Sequence, residues 1–275
     1  MKRLIYIFLS IIILASCSVK EESPVQMRQG HPRVLATAED FANLRTKIEE
    51  GDFLPLVNMH RKEIRAADIY AADTARIGMF YDQAGKRLRS ANKASSEGMA
   101  CLYAYMMTGE KKYLDRALSI VDELCSWPTW NPSHFLDAAK ASLPCTVAYD
   151  WLYDVLSDEQ KERILDNLKE KLIIPSQQPE HQYMLNKFNN WNQTCNGALI
   201  AASIVLYDRE PEFSQEVIRK AIERNIPAFK PMSAPDGVYP EGPMYMFAGM
   251  SWQVLIFSVL ESAYGTDFGL SDAAG

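Results

Sequence analysis

A twelve-residue segment rich in amide side chains is the part of the sequence best suited to chemistry. Residues 186–197 read NKFNNWNQTCNG and lead into an apolar helical pattern. Asn is a poor helix former but a good N-cap, and capping uses only one or two of the five Asn present. Amide donors at a helix amino terminus, acting with the helix dipole, suit the binding of a carboxylate. The segment is therefore either a carboxylate-binding site or a polar, capped loop.

A second segment, residues 235–247, combines turn residues with two tyrosines and a carboxylate. It reads PDGVYPEGPMYMF and also precedes an apolar helical pattern. Gly and Pro impose an irregular chain that displays Tyr239, Glu241 and Tyr245. Because Tyr is amphipathic, composition alone allows either packing or a role in proton transfer.

Both segments precede apolar helices, so a helical array places them at the same end. Asn190 and Tyr245 are 55 residues apart, which is one helical hairpin of this chain. Trp127, Trp130 and His134 precede another apolar helix and are expected at that end too. Flat aromatic faces beside amides are typical of sugar binding, and His134 is either catalytic or a residue that caps or orients the loop.

The elements that must position these residues are helices of two alternating kinds. Four segments are apolar almost all round and are predicted to be buried on every side: 99–107, 147–156, 198–207 and 252–264. Amphipathic segments with one apolar stripe lie between them. This alternation predicts an all-α fold of stacked hairpins, as a superhelix or a closing α/α toroid. The lack of a tetratricopeptide- or ankyrin-type repeat motif favours the toroid of inner and outer helices.

The first residues of the chain predict export. Lys2 and Arg3 precede an apolar run, and residues 14–17 read LASC, which resembles the lipobox of bacterial lipoproteins. We predict a signal peptide over 1–16, lipid attachment at Cys17, a tether over 17–30 and the toroid domain over 31–275. The protein is then a periplasmic, outer-membrane or cell-surface lipoprotein held to the membrane by its lipid. The alternative is an ordinary signal peptide.

Composition excludes some classes of function. With 48% hydrophobic and 23% charged residues the chain is globular, and a net charge of −6 disfavours non-specific nucleic-acid binding. The remaining cysteines, Cys101, Cys125, Cys145 and Cys195, show no metal-ligand spacing, so they are predicted to be buried, with one disulfide possible. No metal or cofactor is evident. A local basic patch for an anionic ligand is offered by Lys86, Arg87, Arg89 and Lys93, for which a solvated surface is the alternative.

Five segments, in order, resemble the N-terminal helical domain of heparinase II/III-like polysaccharide lyases. They read HPRVLATAEDFANLRTKI, YAYMMTGEKKYLDRA, HFLDAAKASLPCTVAYDWLYD, NNWNQTCNGALIAA and PDGVYPEGPMYMFAG, and the resemblance covers residues 31 to 272. It implies an incomplete α/α toroid followed by a β-sandwich domain. The sequence also stops after a buried helix that has no outer partner, so we expect it to be the N-terminal part of a longer protein.

The resemblance also implies an activity, the cleavage of acidic polysaccharides by β-elimination at a uronic acid. On this template Asn190 neutralises the uronate carboxylate, and Tyr245 is the general acid and base. The register leaves Tyr239 as an alternative to Tyr245. Contacts around the substrate are expected from the other polar and aromatic residues of this end: Trp130, His134, Trp191, Asn192, Gln193, Tyr239 and Glu241.

The chain departs from the family pattern in two places, and two other functions stay open. Trp191 stands where many members have His, and Lys140 stands where many have Glu. One alternative is a non-catalytic, surface glycan-binding lipoprotein that uses the same cleft. The other is an α/α-toroid unsaturated-glucuronyl hydrolase, which needs paired acids, for which Asp236 and Glu241 are the conspicuous candidates.

Overall fold

The predicted all-α class is confirmed in a computed structural model that describes residues 26–233 and 238–273. None of the described residues belongs to a β-strand. The main helices are α1 (Ala38–Glu50), α2 (Leu54–Ala72), α3 (Arg89–Thr108), α4 (Lys111–Ser126), α5 (Phe135–Trp151), α6 (Asp158–Leu168), α7 (Ile174–Ser176), α8 (Pro179–Leu185), α9 (Asn190–Leu206), α10 (Pro211–Ser233) and α11 (Pro243–Tyr264).

Four helices, α3, α5, α9 and α11, form an inner layer in which each helix packs against the next inner helix along the chain. In this layer α3 packs against α5, α5 against α9, and α9 against α11. On the outside, α4 covers α3 and α5, α6 packs on α5, and α10 packs on α9. Nearly every residue of α5 and α9 is buried. The predicted alternation of buried and half-buried helices therefore holds at α5 and α9, whereas five of the nine residues at 99–107 in α3 are only half-buried.

Glycines bring neighbouring inner helices close together. A Cβ atom added at Gly98 would lie 2.9 Å from Pro144 Cβ, and one added at Gly197 would lie 3.1 Å from Ile256 Cγ1. Both distances are shorter than ordinary van der Waals contact, so a larger residue would force the helices apart.

Local signals in the sequence set the starts of two helices. Thr37 and Asp40 form a reciprocal capping box at α1, and Ser157 and Gln160 form one at α6. The prediction for 147–156 was too long, because α5 ends at Trp151. The cap of α6 at Ser157 leaves only five residues for the connecting turn, so the helix cannot continue.

The prediction that 252–264 is buried on every side was wrong for one face of α11. Ile256 and Leu260 are fully buried, whereas Val254 is 54% exposed. Two residues of the first turns, Met244 and Phe247, are about four-fifths exposed, at 81% and 79%. Among the described helices, α11 alone is long and apolar enough to span a bilayer, a test that core helices also pass.

The four described cysteines are buried free thiols. Burial raises the pKa of Cys101 to about 12, and it also raises the pKa values of Cys145 and Cys195. These three thiols are therefore protonated, small core residues rather than nucleophiles. Cys125 differs, because a hydrogen bond with Cys145 lowers its pKa.

The inner helices run parallel, with their amino ends together. The Leu88 N–H, just before α3, donates to Asp137 in the first turn of α5 (2.6 Å). The His134 ring, at the start of α5, contacts the Trp191 ring at the start of α9, with centroids 4.9 Å apart. We call this side the amino end of the inner layer.

The opposite side, the carboxyl end of the inner layer, is crossed by residues 27–34. Arg28 bonds to Ala263 O near the end of α11 (2.7 Å), and Arg33 bonds to Ile204 O near the end of α9 (3.0 Å). His31 reaches Asp150 at the end of α5 (2.6 Å). A single extended segment therefore ties three inner helices together.

Candidate functional site

The amide-rich segment begins α9 and binds a carboxylate of the protein itself. Asn189 is the N-cap, and its side-chain oxygen accepts from Trp191 N–H (3.1 Å). The Asn190 backbone N–H donates to Glu241 Oε2 (2.7 Å), and Asn190 Nδ2 lies 2.9 Å and 3.0 Å from the two carboxylate oxygens. Asn190 is thus an amide donor at a helix amino terminus, a setting that favours an anion.

Tyr239 lies beside this pair and is buried. A Cβ atom added at Gly249 would lie 2.4 Å from the Tyr239 hydroxyl and 3.4 Å from Asn190 Cβ, so the ring packs directly on α11 next to Asn190. No described residue gives the hydroxyl a hydrogen bond of ordinary geometry. Burial, followed by the nearby Glu241 carboxylate, raises the pKa of Tyr239. Its phenol is therefore neutral and lies near the Glu241 carboxylate.

Tyr245 is 51% exposed in the first turn of α11. It precedes Gly249 by four residues, so the two share one face of the helix. Since Gly249 contacts the Asn190 side, Tyr245 is on the same side of α11 as Asn190 and one turn closer to solvent. Of the two tyrosines, Tyr245 is the one that a large substrate can reach without a rearrangement of the protein.

Aromatic and basic groups surround the start of α9. Trp191 is half-buried between the His134 ring and the Lys187 ammonium, which lies 4.3 Å from its ring centroid. His134 Nδ1 lies 3.1 Å from Asp137 Oδ1. The predicted residues Trp191 and His134 are thus neighbours at the amino end.

Most other amides of the segment belong to a buried structural network, which corrects their prediction as substrate contacts. Asn192 Nδ2 donates to the carbonyls of Leu185 and Arg224 (3.0 and 3.1 Å), and its oxygen accepts from Asn225. Asn225 and Gln253 then exchange two hydrogen bonds (3.0 and 2.9 Å), which links α10 to α11. Gln193 is also fully buried. Burial of amides requires such pairing, and the pairing explains their number.

Trp130 is completely buried, and its indole N–H donates to Leu124 O (2.9 Å). In this position it has no surface to offer a substrate. The correction has a simple physical reason: an aromatic ring before a helix packs under the loop when its N–H finds a backbone acceptor.

Lys140, which the sequence shows only as a departure from the family pattern, lies in a cleft between α3, α5 and α11. Because three inner helices line one cleft, the inner layer is curved, and this is its concave side. The cleft has a volume of about 350 Å³. The basic residues Lys86, Arg87, Arg89 and Lys93 are exposed near the start of α3.

No group of three or more His, Cys, Asp or Glu side chains within 26–233 and 238–273 is arranged to hold a metal ion. Cys17, the predicted lipid attachment residue, and Asp236 lie outside the described residues.

In comparisons with known proteins, no protein-family model and no curated protein matches the chain.

Proposed function

We propose that the chain is the helical part of a polysaccharide lyase that cleaves an acidic, uronic-acid-containing polysaccharide by β-elimination. The curved layer of parallel helices backed by outer helices supports an incomplete α/α toroid. The exposed apolar face of α11 is suited to packing against a further element of the protein. The resemblance implies a β-sandwich domain in addition. Export as a lipoprotein through Cys17 is part of the same proposal.

The observation that carries the proposal is the carboxylate held by Asn190. Its backbone N–H and side-chain amide both donate to Glu241 at the amino terminus of α9. We propose that a substrate uronate takes the place of Glu241, whose half-exposed side chain can move into water. Two carboxylates at one site would repel each other, so the uronate displaces Glu241 rather than joining it.

β-Elimination explains why these residue types are needed. The C5 proton of a uronate is weakly acidic while the adjacent carboxylate is charged, so Asn190 stabilises the charge that develops there. A base removes the C5 proton, its electron pair forms the C4–C5 double bond, and the C4–O bond to the leaving sugar breaks. Tyr245 is the proposed acid and base, delivering a proton to the leaving oxygen.

A non-catalytic glycan-binding lipoprotein is the second candidate. It is favoured by two observations: the donors of Asn190 are already taken by Glu241, and the Tyr239 hydroxyl is buried. The hydrolase has less support, because Glu241, one of its two candidate acids, is bound to the amides of Asn190.

Product absorbance separates these functions. A panel of acidic polysaccharides is incubated with the protein, and the ultraviolet absorbance of the unsaturated uronate is followed. We expect a rise with at least one substrate, lowered by a factor of about 10²–10³ in Asn190→Ala and about 10²–10⁴ in Tyr245→Phe. Binding of a uronan without any rise, unchanged in Tyr245→Phe, would establish the binding protein instead.

A further inference from the structure

The cleft on the concave side of the inner layer has the size and lining of a subsite for one sugar. Its volume of about 350 Å³ is at the lower end of the range for small-molecule sites. One wall is polar and the facing wall offers an aromatic ring. The residues that line the cleft include Asn92, Ser95, Ser96, Lys140, Ser251 and Trp252.

Lys140 brings a positive charge into this cleft without a counter-ion. Its ammonium donates to the neutral Asn92 Oδ1 (2.6 Å), and no carboxylate among the described residues forms an ion pair with it. Burial lowers the pKa of Lys140; Asp137 opposes this effect, and Arg87 and Arg89 add to it. Asp137 is occupied elsewhere, because it accepts hydrogen bonds from Leu88 N–H and Asn131 Nδ2 (2.6 and 2.9 Å).

The unused donors of the cleft match an anionic group. An ammonium has three N–H donors, of which Asn92 takes one. The hydroxyls of Ser95 and Ser96 line the wall on α3, while Ser251 donates to Phe247 O and so offers an acceptor. A carboxylate or sulfate ester would pair with the ammonium and accept from these hydroxyls.

We propose that this cleft binds one acidic sugar of the substrate, with its anionic group on Lys140 and its ring on Trp252. This rests on the proposed action on an acidic polysaccharide and adds the residue that selects the charged sugar. Trp252 packs over Gly197, two turns into the helix that begins at Asn190. The cleft therefore lies deeper along the inner layer than the Asn190 site, as a separate subsite on the same concave side.

Calorimetric binding of size-defined oligosaccharides tests the proposal. Wild type, Lys140→Met and Lys140→Arg are titrated with a uronic-acid oligosaccharide, its sulfated form and a neutral oligosaccharide of equal length. We expect Lys140→Met to bind the acidic forms about tenfold more weakly, with less dependence on salt, and Lys140→Arg to keep most of the affinity. Lys47→Met, on the exposed surface of α1, is the matched control and should bind as wild type does.

Amine labelling of the wild-type protein gives a readout that needs no variant. Acidic oligosaccharide should protect Lys140 from an amine-acylating reagent, measured by mass spectrometry, while the neutral one should not. Wild-type affinity in Lys140→Met together with no protection would overturn the subsite and leave the proposed lyase standing. Absence of any acidic oligosaccharide binding by wild type would overturn both.

Discussion

The two ends of the inner layer each hold a carboxylate, but with different partners. At the carboxyl end Asp150 is fully buried and accepts from His31 and from the backbone N–H groups of Arg33 and Val34, at 2.6 to 2.8 Å. At the amino end Glu241 is half-exposed, accepts from the neutral backbone and side-chain amides of Asn190, and lies near the Tyr239 hydroxyl.

The difference extends to the neighbouring groups. At the carboxyl end Arg33 and His31 also bind Asp208 (2.6 and 2.9 Å), and cations near helix carboxyl termini are favourable. At the amino end the Tyr239 hydroxyl is buried without an ordinary hydrogen bond to any described residue. A carboxylate paired with cations and backbone N–H groups stabilises a fold, whereas a half-exposed carboxylate held by neutral amides is one that a ligand can exchange. Four substitutions test this reading.

Asp150→Asn should cause the largest loss of stability. Both backbone N–H groups donate to Oδ2, which an amide oxygen can replace, but the amide NH2 would take the place of the charged Oδ1 opposite His31. The free energy of unfolding should therefore fall by about 3–5 kcal/mol. Urea unfolding measures the change. Asp208→Asn, on a half-exposed side chain, is the matched control with a smaller expected loss, and equal losses for the two would contradict the comparison.

The stabilisation of the folded state by His31 should depend on pH. Burial alone would lower the pKa of His31, but hydrogen bonds to Asp150 and Asp208 outweigh it and raise the pKa. Because the folded-state pKa is the higher one, the stabilisation is complete below about pH 6.5 and is lost as the pH rises through the folded-state value. We expect the difference in the free energy of unfolding between wild type and His31→Gln to fall by about 1–2 kcal/mol across this pH range. A pH-independent difference would show that His31 acts by packing on Tyr153.

Glu241→Ala should cost little stability, because water reaches the freed amides of Asn190. We expect a loss of about 1 kcal/mol or less. Binding of a uronic-acid oligosaccharide should tighten roughly tenfold, since the competing carboxylate is gone. Weaker binding or lost activity in a folded variant would show instead that Glu241 orients Asn190.

Tyr239→Phe should have the smallest effect. It removes a buried hydroxyl that has no ordinary partner, so stability should stay unchanged or rise by about 1 kcal/mol. Activity should persist, in contrast to Tyr245→Phe. Loss of activity in Tyr239→Phe with Tyr245→Phe unaffected would exchange the roles of the two tyrosines.

Much of the helical framework could be predicted because its signals are local. The capping boxes at Thr37 and Ser157 depend on residues three apart, and the apolar patterns report which faces avoid water. The helix length at 147–156 was missed because an apolar run does not reveal where a chain must turn. The exposed face of α11 was missed because hydropathy records the tendency to be buried, not the presence of a neighbour.

The site was less predictable, since amides look alike in sequence. Asn190 and Asn192 are two residues apart on one helix, yet one meets the half-exposed Glu241 and the other joins Asn225 in the core. Only the packing of α9 against α10 and α11 separates these fates. Lys140 was visible in sequence as an unusual residue, but nothing local showed that it lacks a carboxylate partner.

The sequence by itself therefore determined the helices, their caps, their alternation and the segments that meet at one end, because these follow from periodicity and short-range hydrogen bonds. The tertiary structure alone decided which polar groups are paired. Asn190 and Glu241 are 51 residues apart, and Arg33 and Asp208 are 175 apart. Hydrogen bonds require contact within about 3 Å, and only the packed helices bring groups so distant in sequence to that separation.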